Sequence, residues 1–105
     1  MSNKEFLNSI KTTVLSYIPD AKVLIFGSRA RGDFNTHNDF DLLVVTKNNI
    51  GAKEKMNMES RISKSLVYSL HKPFDVLLYS QQEVELKKNA RGLIIFHALK
   101  DAIEL

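Results

Sequence analysis

Apolar positions along this chain change period several times, and each change marks an element. Phe6, Leu7, Ile10, Val14, Tyr17 and Ile18 recur at three- and four-residue steps, the spacing of one helical face. They predict a first amphipathic helix with Lys4, Asn8 and Lys11 turned to solvent. Ser2-Asn3-Lys4-Glu5 opens it in the form of a capping box, and Pro19-Asp20 closes it. Residues 22–26 form a short β-branched and aromatic run, a buried first strand, which Gly27 breaks. Ser28 suits a helix N-cap, so residues 29–33 predict a short helix, and residues 34–38 are polar and turn-like. Residues 40–46 are apolar on both faces beyond Asp41, as expected of a strand in a covered sheet.

The second half repeats the alternation. Met58, Ile62, Leu66, Val67 and Leu70 mark a long helix over residues 52–70, with Lys53, Lys55, Arg61 and Lys64 on its polar face. His71-Lys72-Pro73 stops it. Residues 74–79 predict a third strand with Asp75 near its start. Ser80-Gln81-Gln82-Glu83 is a second capping box, opening a helix interrupted near residues 89–92. The last helix carries Leu93, Phe96, Leu99 and Ile103. The order predicts an α/β (α+β) unit: a three-stranded mixed sheet flanked by about four helices. The short first connection permits an antiparallel pair, and the long helix permits a parallel crossover.

Composition narrows the class. The 105 residues suffice for one domain and not for two, so residues 1–105 are expected to form a single domain. With 44% hydrophobic and 26% charged residues, the chain reads as an ordinary globular protein. The absence of cysteine excludes disulfides, thiolate metal sites and thiol nucleophiles, and fits a reducing, cytoplasmic setting. No apolar run reaches membrane-span length, and no signal-peptide core opens the chain. A net charge of +3 without a basic stripe gives no expectation of direct nucleic-acid binding.

The candidate chemistry lies between residues 23 and 45. Asp39 and Asp41 stand two apart, so an extended backbone points both to one face, about 6–7 Å apart along the strand. Carboxylates crowded on a buried strand repel and lose hydration, and hard oxygens relieve this by holding Mg²⁺. Asp75, in an otherwise apolar strand, is the candidate third ligand and a candidate general base. Gly27 would let the backbone approach a phosphate. Ser28 and the amides after it would donate to phosphate oxygens, and Arg29 or Arg31 would add a forked charged contact. Phosphoryl and nucleotidyl transfer need this combination: a phosphate chain held still and its charge neutralised. Two Mg²⁺ ions about 4 Å apart would clamp the attacking and leaving oxygens. Singly, each feature is ordinary: a turn, a strand end, a surface charge. Their order and spacing raise them above that. His37, a loop residue, His71, at a helix end, and His97, in an apolar helical pattern, have simpler uses in solvation, dipole contact and packing. Tyr17, Tyr68 and Tyr79 show no base-stacking spacing.

Gly27-Ser28, ten intervening residues, then Asp39-Phe40-Asp41 resembles the signature of the DNA polymerase β-like nucleotidyltransferase superfamily. GSRARGD with DFDLLVV is most similar to its smallest members, the minimal nucleotidyltransferases (the MNT or MntA-like antitoxins). Asp75 and the C-terminal IIFHALKDAIEL also match their pattern, while Asn38 stands where these proteins often have serine. The resemblance implies the nucleotidyltransferase fold and transfer of a nucleoside monophosphate from Mg-NTP, ATP above all, to a hydroxyl. It also implies a two-gene pairing in which the enzyme, as antitoxin, adds AMP to a tyrosine of a helical HEPN-type toxin. The chain length leaves no second domain for the acceptor, so another molecule or subunit is expected to present it. The alternative is a non-catalytic nucleotide- or partner-binding module that neutralises such a protein by complex formation through the last helix, Ile103 and Leu105. A drug or nucleic-acid acceptor fits worse. The sequence leaves open the NTP, the oligomeric state, a homo-oligomer included, and which arginine contacts phosphate.

Overall fold

The computed structural model describes residues 3–27, 39–90, 92 and 94–105. The capping box at Ser2, the short helix expected over residues 29–33, the turn around His37 and Asn38, and Leu93 lie outside the described residues, as does the side chain of His97. The described elements run α1 (Asn3–Tyr17), β1 (Lys22–Phe26), β2 (Phe40–Thr46), α2 (Ala52–Leu70), β3 (Phe74–Ser80), α3 (Gln81–Lys87), α4 (Ile94–Asp101) and β4 (Ile103–Glu104). The sheet order is β3-β2-β1-β4. β1 pairs antiparallel with β2, and β2 pairs parallel with β3 across the α2 crossover, so the sheet is mixed as expected.

Two expectations change. The sheet has a fourth strand: Ile103 does not continue the last helix, because α4 ends at Asp101 and the chain turns to pair Ile103 and Glu104 with Ile25 and Leu24 of β1. The Leu105 N–H donates to the Val23 carbonyl (2.8 Å) and extends that pairing. Sequence periodicity placed Ile103 on a helical face, but the edge of β1 offered backbone partners that outweighed it. Val67, expected on the buried face of α2, is 42% exposed, while Ile62 and Leu66 carry that face alone as fully buried residues.

Strand alternation divides the core into two layers. On one face Val23, Ile25, Phe40, Leu42, Val44, Phe74, Val76 and Leu78 pack with Ile10 and Val14 of α1 and Ile62 and Leu66 of α2. On the other, Leu43 and Val45 pack with Ile95, flanked by Leu24, Phe26, Leu77, Tyr79, Val84 and Leu99. β2 is therefore buried on both faces. At its head, Phe40 lies between Phe6 and Phe74, with ring centroids 5.0 and 5.2 Å away. Each such pair adds about 0.5–1.5 kcal/mol beyond area burial, so α1 fastens the starts of β2 and β3 together.

α2 ends where the sequence said it would. His71 adopts φ 56°, ψ 36° and its N–H donates to the Val67 carbonyl (2.9 Å), a left-handed cap before Pro73. The second capping box is formed: Glu83 N–H donates to Ser80 Oγ, and Ser80 N–H donates to Glu83 Oε1, both 3.1 Å. α2 also seals the free edge of β3. Leu78 N–H donates to Glu59 Oε2 and Ser63 Oγ donates to the Phe74 carbonyl, both 2.9 Å. Edge groups satisfied this way do not recruit another strand.

Candidate functional site

The start of β2 is the hub. Asp41 faces Phe26 of β1 in one register and Asp75 of β3 in the other. Parallel in-register partners project to the same face, with strands about 4.8 Å apart. Asp41 and Asp75 thus share a face, the one covered further along by α3 and α4. Phe40 and Phe74, also in register, point to the opposite face into the aromatic cluster. The Phe40 N–H donates to the Pro73 carbonyl (2.9 Å), which carries the β2–β3 pairing to its first residue. Apolar anchoring on one face therefore fixes the two carboxylates on the other.

Asp41 is half-buried, while Asp39 and Asp75 are exposed. Asp39 precedes the strand by one residue. Gly27 follows β1 with φ +75°, a conformation glycine adopts without strain, and Oδ2 of Asp41 takes up the space a β-carbon there would need. Ser28, Arg29 and Arg31, the expected phosphate contacts after this turn, lie outside the described residues. Of the candidates, Gly27, Asp41 and Asp75 are brought together by the sheet itself, with Asp39 at their margin.

The donor set suits a hard divalent ion. Among the described residues no three histidine, aspartate or glutamate side chains are grouped to hold a metal ion, Asp39, Asp41 and Asp75 included. Mg²⁺ does not ask for three: it is held by one or two carboxylates, with substrate phosphates and water completing its octahedron. Asp41 and Asp75, adjacent and with one solvent-facing, fit that role.

The sequence reading did not reach Glu59 and Ser63, which hold β3 and hence Asp75 in place. They sit four residues apart on α2, beside Met58 and Ile62, and that i,i+4 spacing on the border of the apolar face was the available signal.

A family model described as polymerase beta, nucleotidyltransferase, matches residues 8–101. A protein of Methanocaldococcus jannaschii, named as a candidate protein adenylyltransferase, is 35% identical over 75 residues, which cover 71% of this chain and 69% of that protein. Among solved structures, a candidate nucleotidyltransferase from Sulfolobus solfataricus superposes with a TM-score of 0.60 at 26% identity, covering 95% of this chain and 76% of that one. The structure of a tri-AMPylated Shewanella oneidensis HEPN toxin in complex with an MNT antitoxin contains a chain that superposes with a TM-score of 0.61. Its identity is 15%, with 98% of this chain and 71% of that one covered, and at that distance the likeness is one of fold.

Proposed function

The chain belongs to the polymerase β nucleotidyltransferase family, and on that premise we propose that it transfers AMP from Mg-ATP to a hydroxyl of a partner protein, the partner being a helical HEPN-type toxin. The observation that carries the reading is the pairing of Asp41 with Asp75 on one face of the sheet, opposite the Gly27 turn. The relative at 35% identity, named for protein adenylylation, and the toxin–antitoxin structure of the same fold support the choice of acceptor.

In this reading Asp41 and Asp75, with Asp39 at their margin, would hold the Mg²⁺ that accompanies the triphosphate. Such an ion, when bound, would supply charge neutralisation of the phosphate oxygens and lower the pKa of the acceptor hydroxyl. The acceptor oxygen bonds to the α-phosphorus, the bond from that phosphorus to the bridging oxygen breaks, and pyrophosphate leaves. Asp75, exposed at the mouth of the site, takes the hydroxyl proton. Gly27, Ser28 and one of Arg29 and Arg31 hold the phosphates still, which is most of what such a reaction asks of a protein.

The test is intact-mass spectrometry of a HEPN-type partner incubated with the protein and Mg-ATP. A mass gain of one or more adenylyl groups is expected, with none for Asp41→Asn. A partner left unmodified while the protein binds ATP overturns the reading.

A second reading has its own observation. Ile103 is 49% exposed and, with Leu7 and Leu105, lines a groove of about 690 Å³ bordered by Lys4, Glu5 and Lys11 among others, a surface for contact without chemistry. The Asp39→Asn/Asp41→Asn double variant separates the two. Complex formation without neutralisation of the toxin supports transfer, and full neutralisation supports binding alone.

A further inference from the structure

We propose that Gly27 is a positioning residue for Asp41: the position is glycine because the Asp41 carboxylate occupies the space that any side chain there would fill. The purpose of that carboxylate rests on the transferase reading above, whereas the packing relation stands apart from it.

Two separate demands meet at Gly27. Its φ of +75° disfavours most residues, but by itself would admit asparagine or aspartate, which visit that region several-fold more often than other residues. The second demand admits none of them. A carbon placed on the Gly27 α-carbon would lie 2.7 Å from Oδ2 of Asp41. Even a carbon–oxygen contact of the C–H···O kind needs about 3.3 Å. The other Asp41 atoms are not crowded, with the carboxyl carbon 3.7 Å and the β-carbon 3.9 Å away. The conflict is thus confined to the outermost oxygen of one side chain. Strand pairing can survive it, and the carboxylate is what must turn.

The strand order makes that turning consequential. β2 lies between β1, which Gly27 follows, and β3, which carries Asp75. The Asp41 carboxylate is therefore bounded on one flank by a backbone without a side chain and on the other by a second carboxylate. A substituent at position 27 acts on the geometry of this acidic pair more than on the fold. Glycine after the first strand thus serves the aspartate fourteen residues later, in addition to any phosphate the turn receives.

Mn²⁺ titration followed by electron paramagnetic resonance, without nucleotide, tests this on wild type, Gly27→Ala, Gly27→Asn and the same changes in an Asp41→Ala background. Both single variants are expected to weaken Mn²⁺ binding about tenfold or more, the scale for disturbing what orients a ligand, with no added loss where Asp41 is already truncated. Wild-type affinity in Gly27→Ala, recovery in Gly27→Asn, or an equal loss in both backgrounds overturns the proposal. Thermal unfolding of the metal-free protein gives an independent reading. Gly27→Ala should lower Tm less in the Asp41→Ala background than in wild type, and an equal drop overturns the proposal. If no variant, wild type included, binds Mn²⁺ without nucleotide or with a non-hydrolysable ATP analogue while this coupling in Tm persists, the metal role in the transferase reading fails and the placement of Asp41 stands.

Discussion

Asp41 of β2 and Asp75 of β3 are direct partners in the parallel ladder, so the second residues of two strands set two carboxylates side by side on one face. If they hold the metal together, each should matter in its own way. Asp75→Asn is expected to lower kcat by about 10²–10⁴-fold, the range for losing a general base, with a smaller change in nucleotide affinity. Single-turnover transfer measurements check this, and an unchanged rate removes Asp75 from the reaction.

The same pair predicts a response to metal. Mg²⁺ bound by the folded protein stabilises it by mass action, so Tm should rise with Mg²⁺ and fall back when a chelator removes it. The rise should be lost in Asp41→Asn. Differential scanning fluorimetry across a Mg²⁺ series reads the outcome, and an equal rise in the variant refutes the assignment.

Glu59 accepts a hydrogen bond from the buried Leu78 amide. Glu59→Ala strands that donor beneath α2 and is expected to cost about 1–3 kcal/mol. Glu59→Gln keeps an acceptor oxygen and should cost less. Urea unfolding distinguishes them, and equal losses would place the effect elsewhere than in this hydrogen bond.

Glu83 predicts a pH dependence. Partial burial by itself would raise its pKa. The Ser80 N–H, the Lys55 hydrogen bond and the charges of Lys55 and Lys87 outweigh that and hold it below its ordinary value of 4.5. A folded-state pKa below the unfolded one contributes stability that is complete above the unfolded value and is lost as pH falls through the folded one. Glu83→Gln preserves the capping box, which accepts Gln in that place, and removes only the charge. Wild type should therefore be more stable than the variant at about pH 7, and the gap should close below pH 4.5. A gap that widens on acidification would reverse the assignment.

Much of this molecule was written in local pattern. The four-residue rhythm of Ile10 and Val14, or of Ile62 and Leu66, needs only a helix and water to be read. The left-handed stop at His71 and the reciprocal cap of Ser80 and Glu83 are satisfied within a few residues of themselves. Asp39 and Asp41 announced a shared face because strand geometry has a period of two, and Asp75 stood out because a charge among apolar strand neighbours needs a reason. What lies beyond that reach depends on contacts distant in sequence. Ile103 fits a helix by spacing and becomes a strand because β1 leaves an edge open to it. Val67 fits a core by spacing and faces solvent because α2 has only so much sheet to cover. Asp75 joins Asp41 because α2 returns the chain in parallel and in register, a one-residue slip of which would send it to the opposite face. Sequence by itself determined which residues could serve a nucleotide and a cation. The tertiary structure decided which of them meet, because register and strand order are settled by the burial of Phe40 and Phe74 on the far side of the sheet.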